Sequence, residues 1–175
     1  MPDNPKPPES AADLEIKMEE VQKAEDAIFM KGYPDVSMDS LIANGYIVHE
    51  ATIATGFKVK MRTLKKKEEL EIKSKMTNYD GSQMYVMDQI NTDTLAKCVI
   101  SINGIDLPTD DKKDKSDVVI KTAFESRKEV ITELADALTL AMLEEYRALN
   151  KALVILIKGS SKNSLGRLLL GRESA

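Results

Sequence analysis

Tyr46-Ile47-Val48-His49-Glu50-Ala51-Thr52-Ile53-Ala54-Thr55-Gly56-Phe57-Lys58-Val59-Lys60-Met61-Arg62 is the stretch on which the fold turns. Tyr46 to Ile53 is rich in β-branched residues, which pack well on a pleated surface. Ala54-Thr55-Gly56 supplies a turn. Phe57, Val59 and Met61 then alternate with Lys58, Lys60 and Arg62. A period of two puts one set of side chains on each face of a strand, one buried and one solvated. The segment predicts a β-hairpin over about 46–63. A lone hairpin is marginal in water, so its apolar face needs cover.

The rest of the chain offers helices for that cover. Upstream, residues 1–10 carry Pro2, Pro5, Pro7 and Pro8 and read as a flexible arm. Ser10 has the chemistry of an N-cap, and Leu14, Met18, Val21, Ala24 and Ile28 follow at helical spacing. Gly32 and Pro34 stop that helix near Lys31. Asp35 to Ser40 reads as a short polar segment with one helical turn. Downstream, Thr63 is a candidate cap for a helix over 64–76, and Asn78 to Ser82 for a turn. A second helix is expected over 83–102, with Met84, Met87, Leu95, Cys98, Val99 and Ile102 inward and Asn103-Gly104 as its stop. Asp106 to Asp117 reads as a solvated charged loop.

The longest helix is expected over 122–158. Phe124, Val130, Ile131, Leu134, Leu138, Ala141, Met142, Leu149 and Leu153 recur along it. Gly159 is its predicted stop, and 159–175 a flexible linker with a short Leu-rich tail. The fold class is therefore α+β, mostly helical, with one small antiparallel β-hairpin and a long C-terminal helix. Residues 11–158 form the single folded domain.

Composition narrows function by exclusion. The 175 residues carry a net charge of −4 with both signs mixed, which argues against a strongly basic nucleic-acid surface. The one cysteine, Cys98, closes no internal disulfide, as suits a reducing compartment. The longest apolar run, Ala152 to Ile157, is too short for a bilayer, and the polar, Pro-rich start is no secretory signal. With no Trp and nine Met, packing falls to Leu, Ile, Val, Ala and Met.

No motif for chemistry emerges. His49 is the only histidine, without the second His or Cys cluster that a zinc site needs, and no G-x-S-x-G elbow surrounds it. Cys98 sits on an apolar helix face and reads as a small hydrophobe. Asp106, Asp110, Asp111, Asp114 and Asp117 lack the calcium-loop order and alternate with lysines. The run 159–164 lacks the phosphate-loop order. Lys65, Lys66 and Lys67 are followed by Glu68, Glu69 and Glu71, so they read as a solvated face. No catalytic residue, cofactor site or metal site is expected, and the chain reads as a binding or assembly protein rather than an enzyme.

Several short motifs occur in a characteristic order. Val59-Lys60-Met61-Arg62-Thr63-Leu64 leads into a helix with Glu68 to Ile72. A helix then closes on Ala96-Lys97-Cys98-Val99-Ile100-Ser101-Ile102-Asn103-Gly104. Phe124-Glu125-Ser126-Arg127 and Leu143-Glu144-Glu145-Tyr146-Arg147-Ala148-Leu149 follow. Across residues 46–150 this order resembles the tail assembly chaperones and baseplate-hub assembly proteins of contractile-tailed bacteriophages. The resemblance implies a morphogenesis role without an active site, as a chaperone or a built-in virion component. It implies a tape-measure protein, a hub protein or further copies of the chain as partners. The place of action would be the host cytoplasm during assembly, or the virion. A cytoplasmic adaptor that binds partner helices, unrelated to phage, is the alternative.

The residues expected to meet a partner are apolar positions that one core cannot absorb. Leu149, Leu153, Ile155 and Leu156 lie on more than one face of the last helix, and a helix apolar on several sides must be covered on several sides. Leu165, Leu168, Leu169 and Leu170 form a compact apolar cluster beyond the linker, fit to dock on a partner or fold back.

Overall fold

The computed structural model describes residues 11–76 and 83–161. The expected flexible arm, the expected Ser10 cap, the turn expected at 78–82 and the expected Leu-rich tail lie outside those residues. The chain divides into two compact units, Met1–Pro34 and Asp35–Ala175. The first holds helix α1, Ala11–Met30. Phe29 stacks on Tyr33 just beyond it, at 5.1 Å between ring centroids. The predicted N-terminal helix is thus present with nearly its expected end.

The second unit opens with α2, Met38–Asn44. Ser37 caps it by accepting from the Ser40 amide at 3.2 Å. Gly45, at φ 71°, ends it in a left-handed conformation that costs glycine least. The expected hairpin follows as β1, Val48–Ala54, and β2, Phe57–Arg62, antiparallel with Val48 opposite Arg62 and Ala51 opposite Val59. Val59 and Met61 are fully buried, while Lys58 and Lys60 are exposed, as the alternation requires.

The hairpin is half of a larger sheet. After α3, Lys66–Met76, and α4, Gln83–Cys98, the chain turns into β3, Val99–Ile102, and β4, Ile105–Asp106. The sheet order is β1-β2-β3-β4, with every neighbouring pair antiparallel. The helix expected over 83–102 therefore stops at Cys98. Val99-Ile100-Ser101-Ile102 pairs with β2 and buries Val99 and Ser101 on alternate positions. Asn103 and Gly104, both at positive φ, form the tight turn to β4 and not a helix stop. The Asn103 side chain accepts from the Lys58 amide at 2.8 Å, which ties this turn to β2.

Thr63 is a staple, not a cap. Its hydroxyl accepts from the Ile47 amide at 3.0 Å, and its own amide donates to the Ile47 carbonyl at 2.9 Å. The helix begins later, at Lys66, where Glu68 reaches back to the Lys65 amide at 2.9 Å. Within the expected solvated loop, β5, Lys112–Lys113, pairs with β6, Val119–Lys121, which lies just beyond it.

The helix expected over 122–158 is two helices. α5, Ala123–Thr132, starts on a complete capping box between Thr122 and Glu125. α6, Asp136–Ser161, runs through Gly159. The interruption at 133–135 lets the two take different supports: α5 packs on α4, and α6 packs on β1, β2 and α4. Asp136 favours a new helix start there, because its carboxylate meets the positive end of the α6 dipole. Ile47, Val59, Met61, Leu95, Val99, Ile131, Met142 and Leu149 form the buried centre. The unit is mixed α+β, mostly helical, with a small antiparallel sheet and a long C-terminal helix.

Candidate functional site

A cleft of about 630 Å³ opens where β2, α3, α4 and α5 converge. Phe124, in the first turn of α5, lines it. The Lys75 ammonium lies 4.7 Å from that ring's centroid, and Lys97 lies 5.6 Å from it. Arg62, at the end of β2, reaches into the same space. It holds Glu68 through two parallel bonds, Nη1 to Oε2 at 2.8 Å and Nη2 to Oε1 at 2.6 Å. Hydrogen bonding from Arg62 and from the Lys65 amide holds the Glu68 carboxyl at about 2, against the cost of its burial. Lys97 binds Glu71 at 2.5 Å.

Behind the cleft, Asp93 is buried and takes Lys128 at 2.7 Å and Lys75 at 3.2 Å. Burial alone would push its carboxyl up, but these two ammoniums hold it below the usual range. Arg127 completes the wall. Its Nη2 donates to the Val99 carbonyl, and its buried Nε meets no acceptor. Burial, with the nearby Arg62 charge, pushes its guanidinium below the usual arginine value. Sequence reading found none of this as a site. Arg62, Glu68 and Arg127 stood in the ordered motifs, but nothing in the sequence set them side by side.

The expected partner residues on α6 divide. Leu149 is wholly buried and belongs to the core. Leu153, Ile155 and Leu156 are partly covered, and their neighbours Val154 and Ile157 are 49% and 46% exposed. Leu165, Leu168, Leu169 and Leu170 lie outside the described residues. Met84 and Met87, expected inward on α4, are exposed instead.

The groups weighed for chemistry are placed as follows. His49 is 7% exposed on β1, its Nδ1 3.7 Å from the Asp35 carboxylate and its Nε2 3.6 Å from that of Glu145 on α6. Cys98 is buried and its thiol is pushed up to about 12, chiefly by that burial. Such a group stays protonated and is a poor nucleophile. The described residues contain no cluster of His, Cys, Asp or Glu able to hold a metal ion, and no described helix is long and apolar enough to cross a membrane. Comparison with family models, curated proteins and solved structures yields no match to this chain.

Proposed function

We propose that this chain is a non-enzymatic binding protein of bacteriophage tail or baseplate assembly, acting as a chaperone or as a built-in component. The observation that carries the binding role is the distal half of α6. Ala152 is buried, Leu153, Ile155 and Leu156 are half-covered, and Val154 and Ile157 face solvent. Apolar residues on this many sides of one helix favour cover by a further surface. The inert state of Cys98 and the enclosure of His49 support a role without catalysis.

The phage assignment rests on the ordered motifs of the sequence, of which Ser101-Ile102-Asn103-Gly104 falls on a strand and turn and not on the expected helix end. Arg62-Thr63-Leu64 links β2 to α3, Ser101-Ile102-Asn103-Gly104 makes the β3–β4 turn, and Tyr146 and Leu149 seat α6 on the sheet side. Mass spectrometry of purified particles and of infected-cell extracts tests it. Stoichiometric presence in particles marks a structural component. Association with tape-measure or hub protein only before completion marks a chaperone. Association with neither would reject the phage reading and leave the adaptor reading.

A further inference from the structure

Helix α1 carries an open stripe of apolar side chains. Met18, Val21 and Ile28 are each more than half exposed. With Glu25, also exposed, they recur at three- and four-residue spacing and so share one face of the helix. A shallow groove of about 300 Å³ runs along that face, lined by Lys17, Met18, Val21, Gln22 and Glu25. The helix is also strongly acidic. Its six carboxylates against two ammoniums give −4, which is the net charge of the whole chain, so the remaining residues cancel one another. Within α1, Lys23 lies 3.4 Å from Glu19, and Asp26 accepts from Gln22 at 3.0 Å. Glu25 makes no ion pair among the described residues. We propose that this face of α1 docks a basic amphipathic helix of a partner protein, with Met18, Val21 and Ile28 as apolar contacts and a partner lysine or arginine on Glu25. This adds a second contact surface to the distal half of α6 and does not rest on the phage reading.

Glu25 chooses the occupant. It stands in the stripe between Val21 and Ile28, so a surface that covers both also covers its carboxylate. A covered carboxylate is costly unless a cation meets it. A wholly apolar helix brings no cation, whereas a basic amphipathic helix brings one beside its apolar row. The excess charge of α1 points the same way. Nucleic acid and an anionic bilayer share its sign and are repelled. A second copy would set −4 against −4. The groove is shallow and open, which suits a helix laid along it better than an enclosed small molecule. Burial of the apolar row supplies affinity, while the surrounding carboxylates steer encounter and set partner choice.

The test is a titration of the isotope-labelled full chain followed at its backbone amide resonances. The main probe is a capped peptide of repeated Leu-Lys-Lys-Leu-Ala-Lys-Lys. Two controls of equal length replace every lysine by glutamate, or every leucine by serine, and a third is a phosphatidylglycerol vesicle, all at matched ionic strength. The leucine–lysine peptide should shift α1 resonances saturably, most strongly from Met18 to Ile28. The serine–lysine peptide, with the same charge and no apolar row, should bind about ten-fold more weakly or worse. The leucine–glutamate peptide and the vesicle should leave α1 unmoved. Glu25→Gln and Val21→Ser should each weaken binding of the leucine–lysine peptide about five-fold or more. Both positions are exposed, so the fold should persist. Glu50→Gln, on the exposed side of β1, should not change binding. Overturning results are no saturable shift, shifts centred outside α1, equal binding of the serine–lysine peptide, or unchanged binding by Glu25→Gln. Vesicle binding through α1 would assign the face to a membrane, and self-association of the free chain through it would assign it to a second copy. Either would also overturn the proposal. The probes include no phage protein, so a failure here leaves the assembly reading standing.

Discussion

The two halves of α6 use similar residues for opposite ends. In the first half, Met142, Leu143, Tyr146 and Leu149 are buried against the sheet and α4. In the second, Val154 and Ile157 are open to solvent and Leu153 is only partly covered. The helix continues without a break between them. Apolar character alone therefore does not separate core from contact surface. What separates them is how far the rest of the fold covers each stretch of the helix.

The largest expected effect tests the first half. Leu149→Ala should lower unfolding free energy by about 2–5 kcal/mol, the range for truncating a fully buried leucine. Ile157→Ala should change it by less than about 0.5 kcal/mol, as for most exposed sites. Urea denaturation of both variants measures the gap. Similar losses at the two positions would erase the distinction between the halves.

A smaller effect is expected at the cleft, where stability is polar. Arg62→Ala should cost about 1.5–3 kcal/mol, since it removes two charge-assisted bonds and leaves Glu68 partly buried without its partner. The pair also predicts a pH dependence. The folded carboxyl of Glu68 lies below its ordinary value of 4.5, at about 2. The unfolded chain therefore takes up the proton first, and the stabilisation is complete above about pH 4.5 and lost as pH falls towards 2. Thermal melts of the wild type and Glu68→Gln should differ most near pH 6 and converge near pH 2. A constant difference across that range would show that Glu68 is not held by Arg62 in solution.

The hairpin was legible because Phe57 to Arg62 alternates cleanly and a glycine stands at the turn. The strand β3 was not. Leu95, Cys98, Val99 and Ile102 also fit a helical stripe, and four residues are too few for period alone to decide. Only pairing with β2, a non-local contact, selects the strand. The break between α5 and α6 was hidden for a similar reason, since Ile131, Leu134, Leu138 and Met142 keep helical spacing straight through it. The cleft was least legible of all. Arg62, Lys75, Lys97 and Arg127 come from four elements far apart in sequence, and their meeting depends on how α3, α4 and α5 pack.

The smallest effect on stability should accompany the largest effect on association. Leu153→Asp and the double variant Val154→Asp, Ile157→Asp place charge on the distal half of α6. The double variant alters only exposed positions, so its fold should persist. The most direct measurement is co-purification of the tagged full chain from infected cells, compared with this double variant. The account predicts that the wild type brings down a tape-measure or hub protein, and that the folded double variant does not. Equal recovery by both, or recovery of no tail or baseplate protein by either, would contradict it.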